Sequence, residues 1–137
     1  MTALLDTGFL LAIFNARDRN QQKAVAILKT LPRNLVLPAP VISELFYMVT
    51  TRIGYSEAVH IFDQLLNSGY AIEALRTEDM ARMSEIMRQY HDAHFDFVDV
   101  AIMAFSERLN VTRVCTFDRR DFSIFRPKHC DALELLP

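Results

Sequence analysis

Short apolar runs alternate with longer helical stretches along this chain, and that alternation limits the fold more than any other feature. The runs are "ALLD" at 3–6, "NLVLP" at 34–38, "YAIEAL" at 70–75 and "TRVCTF" at 112–117. Each is continuously apolar rather than alternating in and out, as expected of a strand buried on both faces. Longer segments separate them. "GFLLAIFNA" and "DRNQQKAVAILKTL" follow the first run, the latter capped by Asp18 or Asn20 and stopped by Pro32. "PVISELFYMVTTRI" enters on a proline, where a helix tolerates one. "SEAVHIFDQLLNSG" is capped by Ser56 and ends near Gly69, and "TEDMARMSEIMRQYH" is capped by Thr77 with acids in its first turn. "FSIF" and "DALELL" read as the closing edge. Buried strands joined by helices predict an α/β fold, a central parallel sheet with helices on both faces.

A chain of 137 residues, 51% of them hydrophobic, with three glycines and five prolines, leaves little room for linkers. One domain spanning 1–137 is expected. The net charge of −2 provides no global basic field for nucleic acid, so any such contact needs a local patch. Residues 1–14 are apolar but lack a basic start and are interrupted by Asp6, and no run reaches membrane-spanning length. The expectation is a cytoplasmic protein with no membrane association, its Cys115 and Cys130 free thiols.

Against this background the acids stand out by position. Asp6 ends the first strand and Asp118 follows "RVCTF". Ligands of open parallel sheets bind beyond the carboxyl ends of strands, where the strand order reverses. Glu44 has Val41, Leu45 and Met48 as helical neighbours and interrupts an apolar face. In "HFDFVDVAIMAFSERLN", Asp96 and Asp99 interrupt a helix that is otherwise apolar from Phe95 to Phe105. Asp6, Glu44, Asp99 and Asp118 thus occupy places where solvation is poor, which like charges tolerate only when protons or a cation neutralise them. Carboxylates without thiolate or imidazole partners favour Mg²⁺ or Mn²⁺ over zinc.

At these residues the chain resembles the PIN-domain family, specifically its VapC-type toxin ribonucleases. "LLDTGFLLAIF" is similar to that family's opening strand, aspartate and helix, and "VISELFYMV" to its helix with an inward glutamate. "FVDVAIMAFSERLNVTRVCTFDRRDF" resembles its most diagnostic block: aspartate, apolar helix, strand and Thr-x-Asp. The resemblance implies a three-layer α/β/α sandwich of about five parallel strands in the order 3-2-1-4-5. It implies Asp6, Glu44, Asp99 and Asp118 as metal-binding, catalytic acids, with Asp6 and Asp99 as direct ligands of Mg²⁺ or Mn²⁺. Glu44 and Asp118 would hold metal-bound waters or a second ion, with Thr7 and Thr116 orienting carboxylates. It further implies hydrolysis of RNA phosphodiester bonds, a cognate VapB-like antitoxin, a homodimer and a toxin–antitoxin hetero-oligomer. Rim charge for the RNA is expected from Arg113, Arg119, Arg120, Arg126, Lys128 and His129.

Simpler roles compete for the same residues. Asp96, three residues before Asp99, suits a helix cap, and Asp121 suits a cap or turn close enough for an outer position. Asp99 fits a helix-dipole partner, Glu44 a partner of Arg52, and Asp118 the opening of a turn. Met80, Met83 and Met87 share helical spacing that suits the core. His91 and His94 in "HDAHFD" lack the cysteine or third histidine that a zinc site wants. Among other functions, a phosphatase of the haloacid-dehalogenase type wants an acid where Gly8 stands, and a receiver domain wants more than Glu73 on its third strand. A silent binding module is disfavoured by the intact acids. A PIN-domain nuclease of RNA processing is the alternative to a toxin.

Overall fold

The computed structural model describes residues 2–31 and 34–137. Among them, five strands pair into one all-parallel sheet: β1 (Ala3–Leu5), β2 (Leu35–Pro38), β3 (Ala71–Glu73), β4 (Arg113–Cys115) and β5 (Glu134–Leu136). Their spatial order is β3-β2-β1-β4-β5, as the family resemblance implied. Leu4 pairs with Val36 on one side and Val114 on the other, so β1 is the central strand. Successive side chains of a strand point to opposite faces. All three residues of β1 and all four of β2 are buried, so both faces of the sheet are covered at these strands. That is the physical basis of the three-layer sandwich, and it explains why these strands read as unbroken apolar runs. The edge strand β3, in "YAIEAL", leaves Ala71 and Ile72 exposed and is not buried on both faces as its apolar run suggested.

The helices are α1 (Thr7–Phe14), α2 (Gln21–Thr30), α3 (Ala39–Arg52), α4 (Tyr55–Leu66), α5 (Thr77–Gln89), α6 (Phe97–Arg108) and α7 (Arg119–Ile124). No helix among the described residues is long and apolar enough to cross a membrane. Helix α6 is the most enclosed, with nine consecutive buried residues from Val98 to Ser106. Its C-terminal end is tied to α5 by charge: Arg82 pairs with Glu107 at 2.6 Å and Arg108 with Asp79 at 2.7 Å. Asp79 is 2% exposed, and a carboxylate so buried requires such a partner. Cys115 is buried in β4 and Cys130 half-buried, both as free thiols. Met83 joins the core, Met87 packs against it from its edge, and Met80 remains exposed, so only part of that stripe is core.

Several local expectations are corrected. "FSIF" does not form an edge strand, because Asp118 accepts a hydrogen bond from the Asp121 amide (3.2 Å) and starts α7, which takes in Ser123 and Ile124. The sheet edge is β5 alone. Helix α4 begins one residue before Ser56, after Gly54, and α5 begins at Thr77 itself. There Asp79 accepts from the Arg76 amide (2.9 Å), the inner half of a capping box, and Thr77 lies inside the helix rather than at its border. Asn20 precedes α2 without a side-chain cap, while Asp18 bonds the Asn20 amide at 2.8 Å. Pro32 lies outside the described residues.

Candidate active site

Strands β1 and β4 are neighbours, and the chain leaves them in opposite directions, toward β2 and toward β5. A crevice opens at such a switch point, at the carboxyl ends of the two strands. The ladder runs one residue past each strand: the Asp6 amide donates to the Cys115 carbonyl (3.0 Å) and the Thr116 amide to that of Leu136 (2.8 Å). Asp6 and Thr116 therefore stand side by side at the crevice. The Thr116 hydroxyl donates to Asp6 Oδ2 at 2.6 Å and accepts from the Asp118 amide at 2.9 Å. The Thr7 amide donates to Asp6 Oδ1 at 2.7 Å, making Asp6 the N-cap of α1 as well. Thr7 was expected to act through its hydroxyl; that oxygen is instead buried without a hydrogen-bond partner among the described residues.

The other acids arrive on helix starts. "DFVD" at 96–99 and "DRRD" at 118–121 share one pattern, an aspartate at the cap and another three residues later. In each, the cap accepts from the amide of the second aspartate, at 2.9 Å for Asp96 and 3.2 Å for Asp118. Asp96 and Asp118 are thus helix caps in this structure. The two second aspartates, Asp99 and Asp121, meet the cap Asp118: the three each offer an oxygen within 4.8 Å of one another. Asp121, which the sequence suggested only as a peripheral acid, belongs to this tightest group. The repeated spacing was the signal that could have found it. Glu44, on α3, is half-buried and near enough to Asp6 to act on its charge. It forms no ion pair with Arg52 among the described residues. Of the four acids expected in poor solvation, Asp6 and Asp99 are buried, at 7% and 6% exposure, whereas Glu44 and Asp118 are half-buried.

Burial and crowding set the electrostatics. Burial raises the Asp6 carboxyl to about 6; the Thr116 and Thr7 bonds oppose the rise, and the charges of Glu44 and Asp118 add to it. Asp99 is raised further, to about 9, by burial and then by Asp6, Asp96, Asp118 and Asp121, with no basic group among the described residues to offset them. Asp121 is raised by burial and by Asp118, against the pull of Arg120, which it meets at 2.6 Å. The Cys115 thiol is pushed up to about 12 by burial, so no thiolate joins the set. The donors are hard oxygens, the ligand type of Mg²⁺ and Mn²⁺.

Half of the basic residues expected at the rim, Arg113, Lys128 and His129, are elsewhere. Arg113 lies at the opposite end of β4 and pairs with Glu134 at 2.8 Å. The Lys128 amide bonds Glu107 (2.8 Å) and the His129 ring bonds the Val111 carbonyl (2.8 Å). Glu107 is eight residues along α6 from Asp99, about 12 Å at 1.5 Å per residue. The Arg126 guanidinium folds back on the Ser123 carbonyl (2.6 Å), and that of Arg119 meets the Pro137 carbonyl. Among the described residues Arg120 is the basic group that touches the acid cluster.

A family model described as the PIN domain matches residues 3–126. The chain belongs to the PIN domain family. Ribonuclease VapC26 of Mycobacterium tuberculosis is 26% identical to this PIN domain over 124 residues, which cover 90% of the chain and 92% of that protein. The crystal structure of VapC20 from the same organism, a sarcin-ricin loop cleaving toxin, superposes with a TM-score of 0.84 at 21% identity. It covers 96% of this chain and 99% of its own. VapBC2 from Rickettsia felis, bound to a DNA fragment from their promoter, gives a TM-score of 0.74 at 16% identity, with both chains fully covered. Both structures share the fold of this PIN domain.

Proposed function

We propose that this PIN domain is a divalent-metal-dependent endoribonuclease and the toxin of a VapBC-type pair. The observation that carries the reading is the set of carboxylates converging on the β1–β4 crevice, with Asp99 buried among acids and without a basic neighbour among the described residues. Such a set costs stability unless protons or a cation neutralise it, and a cation site is the role that offsets the cost of gathering it. Asp6 and Asp99 would hold Mg²⁺ or Mn²⁺ directly, with Glu44, Asp118 and Asp121 holding its waters or a second ion. When bound, the ion would polarise a phosphate and lower the pKa of an attacking water. The chain's own contribution is orientation: Thr116 and the Thr7 amide fix both oxygens of Asp6, and Asp96 fixes the first turn that carries Asp99. The raised carboxyls of Asp6 and Asp99 would release their protons as the cation binds, so activity rises with pH across the range in which they ionise.

The toxin part rests on similarity to Ribonuclease VapC26 and to the VapC and VapBC structures. A partner antitoxin, a homodimer, a toxin–antitoxin assembly and a cytoplasmic location follow from the same reading. An arginine of the antitoxin entering the acidic crevice would form strong charge-assisted bonds there.

The test is cleavage of single-stranded RNA by purified protein with Mg²⁺, with Mn²⁺ and with chelator. Asp6→Asn and Asp99→Asn should abolish cleavage and keep the fold; cleavage that persists in chelator or in both variants refutes the metal-dependent nuclease. Expression alone should arrest growth and co-expression with the antitoxin restore it. Cleavage without growth arrest would assign the domain to RNA processing instead.

A further inference from the structure

Beside the carboxylates lies a groove that they do not fill. One wall is a stripe of α3, Pro40, Ser43, Glu44 and Tyr47, spaced i, i+3, i+4 and i+7 on one helical face. The other wall is the first turn of α6, Phe97 and Val98. They enclose about 520 Å³, inside the range of small-ligand sites, about 300–1,000 Å³. Both walls border the acid cluster: Glu44 acts on the charge of Asp6, and the first turn of α6 that forms the other wall also carries Asp99.

The rings of this groove combine wide exposure with the lack of an aromatic partner, whereas Tyr55, comparably exposed, packs edge-on against Phe46. Tyr47 is 69% and Phe97 53% exposed. Phe46, Tyr90 and Phe125 each pack against another aromatic ring, whereas among the described residues Tyr47 and Phe97 pack against none. Rings of this size normally gain by burial, so two of them left open at one groove present free π-faces. The charged wall decides what can enter. Glu44 repels a phosphate but not a neutral base, and the Ser43 hydroxyl can bond a base edge.

We propose that this groove is a nucleobase subsite, in which Tyr47 and Phe97 stack one unpaired base of an RNA whose adjoining phosphate lies at the carboxylates. The proposal rests on the nuclease reading and adds the part of the substrate that is recognised. Unstacked bases of single strands and loops meet aromatic side chains in this way, whereas a base within a duplex has both faces occupied. Tyr47 and Phe97 are positioning residues for the substrate, and cleavage of duplex RNA is correspondingly poor.

The experiment uses a ten-nucleotide single-stranded RNA with one 2-aminopurine, whose fluorescence falls on stacking. It is titrated into the parent protein with Ca²⁺ in place of Mg²⁺, a larger hard cation for the same oxygen ligands, chosen to seat the phosphate and leave the RNA intact. Quenching is expected, and Tyr47→Ala or Phe97→Ala should weaken binding about 5- to 150-fold, the range spanned by base–aromatic stacking. Tyr47→Phe and Phe97→Tyr, which keep the ring, should stay within about twofold of the parent, since stacking needs only the π-face. Both rings are exposed, so all four variants should melt with the parent. In cleavage-competent protein the alanine variants should raise KM for normal RNA and lose the parent's discrimination against RNA made abasic beside the cut. Binding unchanged in both alanine variants, or absence of quenching, overturns the proposal. So does intact RNA binding with lost association of a protein partner, which would assign the rings to that partner. Ring-dependent binding of an RNA that is never cut would uphold the subsite and refute the nuclease.

Discussion

In metal-free protein Asp99→Asn should raise stability, and by more at higher pH. The carboxyl of Asp99 is pushed from 3.8 to about 9 in the native chain. Between those values the native state holds a proton that the unfolded state has released, so stability falls as pH rises, by about 1.4 kcal/mol per pH unit. The accumulated penalty is on the order of 1–2 kcal/mol at pH 5 and about 4 kcal/mol at pH 7, and it is complete only above pH 9. Asparagine keeps the shape and carries no titrating proton, so the variant escapes this loss. Asp6, raised to about 6, contributes a smaller loss to both proteins that levels off above pH 6. Thermal melts in chelator at pH 5, 6, 7 and 8 measure the gap. At about 4 °C per kcal/mol for a domain of this size, the variant should lead by roughly 6 °C at pH 5 and roughly 15 °C at pH 7. Mg²⁺ at a hundredfold excess over Kd should return about 2.7 kcal/mol to the parent and little to the variant. The reasoning is refuted if the variant is less stable than the parent without metal and still responds fully to Mg²⁺. Asp99 would then be a structural partner of some basic group.

Three further perturbations separate the site from the scaffold. Thr116→Val removes the hydroxyl that donates to Asp6, so the Asp6 carboxyl rises above about 6. The pH at which Mg²⁺ binding develops in calorimetric titrations should move up with it; an unmoved profile would show the bond to be incidental. Asp79→Ala leaves Arg108 without its 2.7 Å partner at the far end of α6 and should cost about 3–5 kcal/mol in urea denaturation. A loss under about 1 kcal/mol would mean that Glu73, 2.9 Å from Arg108, compensates. Asp96→Asn should leave stability unchanged, because asparagine caps as well as aspartate, whereas Asp96→Ala should lose about 1 kcal/mol. Equal losses in the two would point to a role for the Asp96 charge rather than its cap.

The layered architecture was legible in the chain because a parallel sheet covered on both faces erases polar alternation from its strands. Leu4 and Val36 are buried wherever their side chains point, and the sequence carries that as apolar runs. Asp6 and Asp99 were legible for the converse reason, a charge inside such a run being a local anomaly. "FSIF" was not, since four apolar residues suit either period, and the cap at Asp118 decides for the helix. Asp121 was hidden among polar neighbours, and it enters the cluster only because α7 packs back against α6. Lys128 and His129 looked close to Arg120 along the chain, yet they lie by Glu107, at the other end of α6. Composition and periodicity are properties of neighbours in sequence, so they determine elements and anomalies. Which acids meet is decided by strand order: with β1 beside β4, Thr116 bonds Asp6 across 110 residues of chain, a distance that no local pattern encodes.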